Sequence, residues 1–141
     1  MKKFELTAEF VTNVFGKKLF RIKALVAFGN VEKGELGGFI EKEDNLSHDD
    51  NAWVYDDARV YGDARVYDDA DYAVVKGFGR CFRTTTFFRC KDKILRVQCG
   101  CFYGDLAQFR EIVKKTHGDS KYAKEYLAIA DLMELHFSDE Y

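Results

Sequence analysis

The sequence has no run of about 18 apolar residues, the length that a membrane-spanning helix needs. It also has no charged leader followed by an apolar segment, because Met1-Lys2-Lys3 is followed at once by the mixed stretch Phe4–Phe15. These absences exclude a membrane helix and predict a cytoplasmic product. Since 47% of the 141 residues are hydrophobic and 33% are charged, the composition is that of an ordinary globular protein and not of a disordered chain.

Common catalytic motifs are missing as well. Gly37-Gly38 is followed by Phe39-Ile40 instead of Lys and Ser or Thr, so this glycine-rich segment is not a phosphate-binding loop. A cysteine nucleophile would need a base, and nothing in the sequence brings His117 or His136 to Cys101. We therefore predict no catalytic residue, no cofactor and no enzymatic activity.

The cysteines do not have the spacing of a metal site. Eight, eight and one residues separate the four of them, whereas a zinc knuckle uses closely paired cysteines such as Cys-x2-Cys. In a chain without a leader we expect reduced thiols in the protein interior, with no metal, at Cys81, Cys90, Cys99 and Cys101.

What the sequence does contain is a six-residue repeat in Asn51–Ala73, NAWVYDDARVYGDARVYDDADYA. Alanine fills one phase and mainly valine the next, which predicts inward-pointing side chains, while Asp, Asn and Gly turn the corners. Such a period is typical of a left-handed parallel β-helix, in which three hexads make one coil. Counting back from Ala52 in steps of six residues reaches Leu46 and then Ile40. A degenerate first coil is therefore expected from about Leu36. A meander of short strands with Asp-rich turns is the alternative.

A β-hairpin is predicted before the repeat. Phe4–Phe15 and Leu19–Phe28 have the composition of strands, and Gly16-Lys17-Lys18 supplies the turn. Alternation in the second strand places Phe20, Ile22 and Ala24 on one face. The segment 28–50, rich in glycine, is interpreted as loop, with His48 as a solvated loop residue.

After the repeat, Arg80–Cys90 and Ile94–Cys101 predict a second hairpin, followed by a turn at 100–104. Asp105 is a good N-cap for a helix over Leu106–Thr116, and Asp119 or Ser120 caps a second helix over Lys121–Phe137. The predicted fold is therefore mainly β with C-terminal helices (α+β). Residues 1–75 form a hairpin cap with a short solenoid, and residues 76–141 form a ββαα domain.

Charge is strongly segregated. Glu41–Asp71 holds eleven acidic and three basic residues, whereas Lys76–Cys101 holds seven basic residues and one acidic residue. The acidic repeat should repel nucleic acid, and the basic hairpin should attract a phosphorylated ligand. Arginines interspersed with phenylalanines suit a nucleotide ligand. The guanidinium groups can make paired hydrogen bonds to phosphate, and the phenyl rings can stack on the base. The alternative is a phenylalanine core with a solvated arginine face, formed by Arg80, Arg83, Arg89 and Arg96.

At these residues the chain resembles a known family. The segment LFRIKAL, then FGNVEKGELGGFIEKEDNLS, then the hexads, resembles hexapeptide-repeat proteins of phages and prophages of Gram-positive bacteria. The later segments RTTTFF, GCFYGDLAQF and THGDSKYAKEYL resemble the C-terminal part of those proteins and are similar to the phage Thoeris anti-defence sponges. Sponges of that family are non-enzymatic oligomers that sequester cyclic ADP-ribose-type signals, and some of them also sequester cyclic oligonucleotides.

The resemblance implies a ligand site on Arg83, Thr84, Thr86, Gly100, Phe102, His117 and Lys121, to which the basic hairpin adds Arg89 and Arg96. The predicted function is a phage-encoded inhibitor of bacterial defence that sequesters a cyclic nucleotide-type signal in the host cytoplasm. One alternative is an interaction protein whose acidic solenoid blocks a host defence protein. A degenerate acyltransferase is disfavoured, because residues 51–73 contain no histidine.

The short solenoid also predicts an even-numbered homo-oligomer. Roughly three repeats are needed before stacking gives a solenoid a continuous core, so its edges need a partner. Two-fold symmetry is the commonest way in which soluble oligomers close. Light scattering that found a monomer at micromolar concentration would contradict this expectation.

Overall fold

The structure is a computed structural model that describes residues 2–13, 15–49, 51–56, 58–67, 71–79, 83–100 and 102–138. It is mainly β with two C-terminal helices, which confirms the predicted α+β class. In chain order the elements are β1 Phe4–Thr12, β2 Lys18–Ala24, β3 Leu36–Ile40, a short 3₁₀ helix Glu43–Asn45, β4 Arg59–Val60, β5 Tyr72–Phe78, β6 Arg83–Arg89, β7 Leu95–Cys99, β8 Phe102–Asp105, α1 Leu106–His117 and α2 Lys121–His136.

The first sheet has the strand order β1-β2-β3-β4, and its β1–β2 hairpin was predicted. Asn13 shapes the turn, because its Oδ1 accepts the N–H groups of Phe15 at 2.9 Å and Lys17 at 3.0 Å. On β2, Ile22 is fully buried as predicted, but Leu19 is buried as well. Burial does not alternate along β2 because its other face is covered as well, where Leu19 shares a cluster with Phe39 and Tyr61.

The hexad stretch pairs in parallel with the chain 20 residues earlier. Phe39 pairs with Arg59 and Ile40 with Val60, and an isolated bridge joins Leu46 to Val66. Both predicted inward phases are buried, namely Ala52, Ala58, Ala64, Val54, Val60 and Val66. Within the described part of 51–67 the only regular strand is β4. The left-handed β-helix itself stays a prediction, and Ala70 lies outside the described residues.

The segment 28–50 is more ordered than the sequence predicted, because it contains β3 and the 3₁₀ helix. Gly37 and Gly38 lie within β3, where the chain behind them approaches closely. A Cβ on Gly37 would lie 2.5 Å from the carbonyl oxygen of Val54, and one on Gly38 would lie 2.7 Å from that of Ala58. These two positions need glycine because there is no space for a Cβ, and not because the chain turns there. Composition alone cannot distinguish these two roles of glycine.

His48 is packed and hydrogen-bonded, so its prediction as a solvated loop residue was wrong. Its ring stacks on Phe4 at 4.1 Å, and its Nδ1 accepts the N–H of Lys3 at 3.0 Å. Its Nε2 lies 3.1 Å from a carboxylate oxygen of Glu43. The contact with Lys3 joins residues 45 positions apart in the chain and cannot be inferred from local composition.

The second sheet is an antiparallel meander with the order β5-β6-β7-β8. The sequence predicted its central hairpin but missed both edge strands. The first residues of β5 were assigned to the end of the repeat, and β8 was assigned to a turn, so the second sheet has four strands and not two. Both helices agree with prediction to within one residue. Asp105 caps α1 by accepting the N–H of Gln108 at 2.8 Å.

The second sheet lies in the middle of the molecule with both faces covered. Phe87 and Val97 belong to the core that the helices cover, whereas Phe88 belongs to the core of the hexad stretch and lies against Tyr61. Residues 85–88 are therefore all buried, as in a strand with two covered faces. Strand β5 crosses the predicted boundary at residues 75 and 76, and the division into two domains stays a prediction. Neither described helix is long and apolar enough to cross a membrane.

Candidate functional site

The site that best combines the predicted residues is a cleft between the two sheets. Its volume is about 440 Å³, within the roughly 300–1,000 Å³ of small-molecule sites. Strands β1, β3 and β4 supply one wall, and β6, β7 and the turn after β7 supply the other. The lining residues are Val11, Phe39, Arg59, Arg83, Thr84, Gln98 and Gly100.

Arg59 comes to the cleft from the hexad stretch. Parallel pairing sets it beside Phe39, and its backbone N–H donates to Oγ1 of Thr86 at 3.2 Å. Thr86 is fully buried and thus fixes the backbone of Arg59 against the second sheet. Within the described part of the chain, the Arg59 guanidinium has no hydrogen-bond partner. The first half of the molecule therefore presents a half-buried positive charge to the cleft.

Arg83 comes from the other wall and depends on Gly100. Gly100 has φ +57°, and a Cβ at this position would overlap Nη1 of Arg83. Gln98 is 4% exposed, and its Nε2 donates to the carbonyl of Gly100 at 3.2 Å. Both the left-handed conformation and the space for the guanidinium require glycine here.

Tyr61 packs behind the apolar wall of the cleft, in one cluster with Val11 and Phe39. It is 2% exposed, and its hydroxyl has no hydrogen-bond partner among the described residues. Burial raises the pKa of Tyr61, nearby Tyr103 raises it further, and the charge of Arg59 lowers it. Tyr61 is therefore a neutral phenol whose hydroxyl lies near the charge in the cleft.

Tyr61→Phe should leave the free energy of unfolding unchanged or raise it by about 1 kcal/mol, because it removes a buried hydroxyl without a partner. Tyr72→Phe is the matched control. The Tyr72 hydroxyl donates to the carbonyl of Trp53 at 2.6 Å and accepts the N–H of Tyr55 at 3.0 Å. Its removal should cost about 1–2 kcal/mol. Urea unfolding of both variants checks the pair, and a larger loss for Tyr61→Phe would show that its hydroxyl is satisfied.

Three of the predicted ligand residues meet in the cleft, namely Arg83, Thr84 and Gly100. Thr86 lies behind Arg59 as a supporting contact. Thr84 and Thr86 are two residues apart on β6, so both side chains lie on the face of that strand towards the cleft.

The other predicted residues lie elsewhere and have structural contacts. Arg89 donates to the carbonyl of Phe137 at 3.3 Å, at the far end of β6. Arg96 makes a bidentate contact with Asp92 at 3.1 and 3.2 Å, which raises the pKa of Arg96 and lowers that of Asp92.

On the helix side of the second sheet, the Phe102 ring lies 5.7 Å from that of Phe109, and His117 stacks on Tyr126 at 5.9 Å. Lys121 is exposed at the start of α2. A ligand role for Phe102, His117 and Lys121 stays a prediction, as it does for Arg89 and Arg96.

The sequence did not single out Arg59, Gln98, Val11 or Phe39. Arg59 occurs in an acidic stretch, and Arg65 holds the same position in the next hexad, so the two look equivalent. Arg65 instead donates to the carbonyl of Ala64 at 2.9 Å. What distinguishes Arg59 from Arg65 is the parallel pairing with the chain 20 residues earlier, which places only Arg59 beside Phe39.

The two described cysteines, Cys90 and Cys99, are not among the residues that line the cleft. Burial raises the pKa of the Cys90 thiol to about 11, and Cys99 accepts the Thr85 hydroxyl at 3.2 Å. Cys81 and Cys101 lie outside the described residues. Within the described ranges no group of three or more His, Cys, Asp or Glu side chains could hold a metal ion.

Comparison with protein-family models, curated proteins and solved structures finds no match for this chain.

Proposed function

We propose that the protein is a phage-encoded inhibitor of bacterial antiviral defence, which binds a nucleotide-derived signal in this cleft and holds it without turnover. The observation that carries the proposal is the convergence of Arg59 and Arg83 from opposite walls. Guanidinium groups bind phosphate through paired, charge-assisted hydrogen bonds. Thr84 adds a polar side chain, and Val11 adds an apolar surface for a sugar or base.

Binding without turnover is supported by the chemistry of the walls. Of the described residues that line the cleft, none is a carboxylate, a histidine or a cysteine. None of these described side chains is suited to general-base or nucleophilic catalysis at neutral pH, and they offer charge and hydrogen bonds to a phosphate. The phage origin and the role against defence rest on the resemblance of the segments RTTTFF, GCFYGDLAQF and THGDSKYAKEYL.

The hexad stretch has a defined part in this proposal. It forms a short left-handed β-helix whose parallel coil carries Arg59, and Thr86 anchors that coil to the second sheet. The role proposed for the solenoid is thus to complete a ligand site and not to bind nucleic acid. Its excess of acidic residues would repel the phosphates of a duplex.

A second candidate is a blocker of a host defence protein. It is supported by acidic side chains that are exposed on the first half of the molecule, namely Asp44, Asp49, Asp56 and Asp63. Pull-down from a host lysate distinguishes the two candidates. Enrichment of one defence enzyme that is lost when these aspartates become asparagine would favour the blocker.

Thermal shift with cyclic ADP-ribose and cyclic dinucleotides tests the nucleotide proposal, because a ligand at 100 times its Kd stabilises the native state by about 2.7 kcal/mol. Arg83→Ala should weaken binding about ten- to a hundredfold, the value of a charge-assisted bidentate contact. Arg83→Lys keeps the positive charge but cannot make the paired hydrogen bonds of a guanidinium. Arg65→Ala, in the hexad stretch but outside the cleft, should bind as the parent does. No shift with any nucleotide, or equal binding by all variants, would contradict the proposal.

A further inference from the structure

The charge of the cleft determines which anion suits it. Arg59 and Arg83 line it from opposite walls, and none of the other described lining residues carries a charge. Guanidinium groups stay protonated at any physiological pH, so the described walls carry two positive charges. A ligand with two negative charges matches them, whereas a ligand with one negative charge leaves one arginine without a counter-charge.

The described groups near Arg59 do not neutralise it inside the cleft. Tyr61 packs behind the apolar wall, and its phenol stays neutral because burial raises its pKa. Two described acidic residues are close to Arg59 in the chain or the sheet, but neither lines the cleft. Asp56 lines the adjoining pocket, and a carboxylate oxygen of Glu41 accepts the N–H of Gly62 at 2.9 Å.

The second wall presents its donors from another direction. The guanidinium of Arg83 lies against Gly100, and the buried Gln98 holds that turn through its hydrogen bond to the Gly100 carbonyl at 3.2 Å. Thr84 adds a hydroxyl to the same wall. A phosphate approached from two walls needs acceptor oxygens on more than one side. A phosphate monoester has three unesterified oxygens for this purpose, whereas a phosphodiester has only two.

From this charge and geometry we propose that the ligand of the cleft is a nucleotide with a terminal phosphate, held as a dianion between Arg59 and Arg83. This ligand class rests on the proposed function of the cleft. A phosphate monoester carries close to two negative charges at neutral pH, because its second pKa is about 6. Each phosphate of a cyclic nucleotide is a diester and carries one.

Calorimetric titration with 5′-AMP and with 3′,5′-cyclic AMP tests the assignment, because the two ligands share a base and a sugar and differ by one negative charge. At about pH 7.5, AMP should bind at least about tenfold more tightly, the value of one more charge-assisted contact. Between about pH 7.5 and about pH 5.5 the affinity for AMP should fall about threefold as its phosphate gains a proton, and the affinity for cyclic AMP should stay the same. None of the described lining side chains titrates in this range.

Arg59→Gln removes one of the two charges but keeps a side chain that can donate a hydrogen bond. It should weaken AMP about tenfold and bring the affinities for AMP and cyclic AMP to within about threefold of each other. Arg65→Gln is the matched control, since Arg65 lies in the hexad stretch but does not line the cleft, and it should change neither affinity.

Equal affinities of the parent protein for AMP and cyclic AMP, or an AMP affinity that does not change with pH, would overturn the terminal phosphate. A loss of both ligands in Arg59→Gln would then still support the cleft. ADP-ribose carries its two charges on two joined phosphates, so tighter binding of ADP-ribose than of AMP would assign the arginines to a pyrophosphate and also overturn the inference. If cyclic ADP-ribose binds and AMP does not, the inference fails and the proposed function stands. If no nucleotide binds, both fail.

Discussion

Phe88→Ala should lower the free energy of unfolding by about 3–5 kcal/mol, the usual cost of deleting a fully buried phenylalanine. Phe88 lies on the second sheet but belongs to the core formed by the first half of the chain. Its ring centre lies 5.8 Å from that of Tyr61 and 6.1 Å from that of Tyr103. The cavity would therefore open at the junction of the two sheets, directly behind the cleft.

Urea unfolding followed by fluorescence and by circular dichroism measures this effect. Both probes should report one transition, because Phe88, Tyr72 and Cys90 share a core with the hexad residues. Phe78→Ala is the control, since Phe78 is 41% exposed, and it should cost less than about 1 kcal/mol. Two separate transitions, with only one shifted by Phe88→Ala, would show that the halves unfold independently.

Gly37→Ala should lower the free energy of unfolding by about 3 kcal/mol, the upper range for an overpacked core. The added Cβ would lie 2.5 Å from the Val54 carbonyl oxygen, 2.8 Å from the Trp53 ring and 2.8 Å from Ile22. Backbone on one side and a buried indole on the other leave no flexible group that could move. Relief would require the hexad stretch to separate from β3.

Gly118→Ala provides the comparison for Gly37→Ala. Its Cβ would meet nothing within 4 Å, but its φ is +57°, so the substitution should cost only about 1–2 kcal/mol of backbone strain. Thermal unfolding of both variants gives the order. If Gly37→Ala is no worse than Gly118→Ala, the close packing of β3 against the hexad stretch is wrong.

Local chemistry explains which elements could be predicted. Asp105 and Ser120 cap the two helices as expected, because N-capping depends on residues only three positions apart. The inward-pointing positions of the hexads could also be predicted, because the six-residue period and the small or β-branched side chains identify them. Strand β5 was missed because the repeat pattern runs into it at Tyr72, and β8 was missed because Gly100 and Gly104 suggested a turn.

The candidate site was only partly predictable for a different reason. Thr84 is adjacent in sequence to Arg83, and Gly100 directly follows the neighbouring strand of the same hairpin, so their proximity follows from local pairing. Arg59 and Phe39 join them only through the packing of the two sheets. A single sequence gives no measure of such long-range contacts, and an arginine among aspartates is typical of a solvated face.

Recovery of intact ligand tests the central claim most directly, namely that the cleft holds a nucleotide without turnover. The protein is incubated with cyclic ADP-ribose and cyclic di-GMP, washed by ultrafiltration and denatured by heat, and the released nucleotides are separated by chromatography. The wild type and Arg65→Ala should release unmodified nucleotide in equal amounts, and Arg59→Ala should release at least about tenfold less, because it removes one of the two arginines of the cleft. Hydrolysed product, or equal retention by Arg59→Ala, would contradict the account.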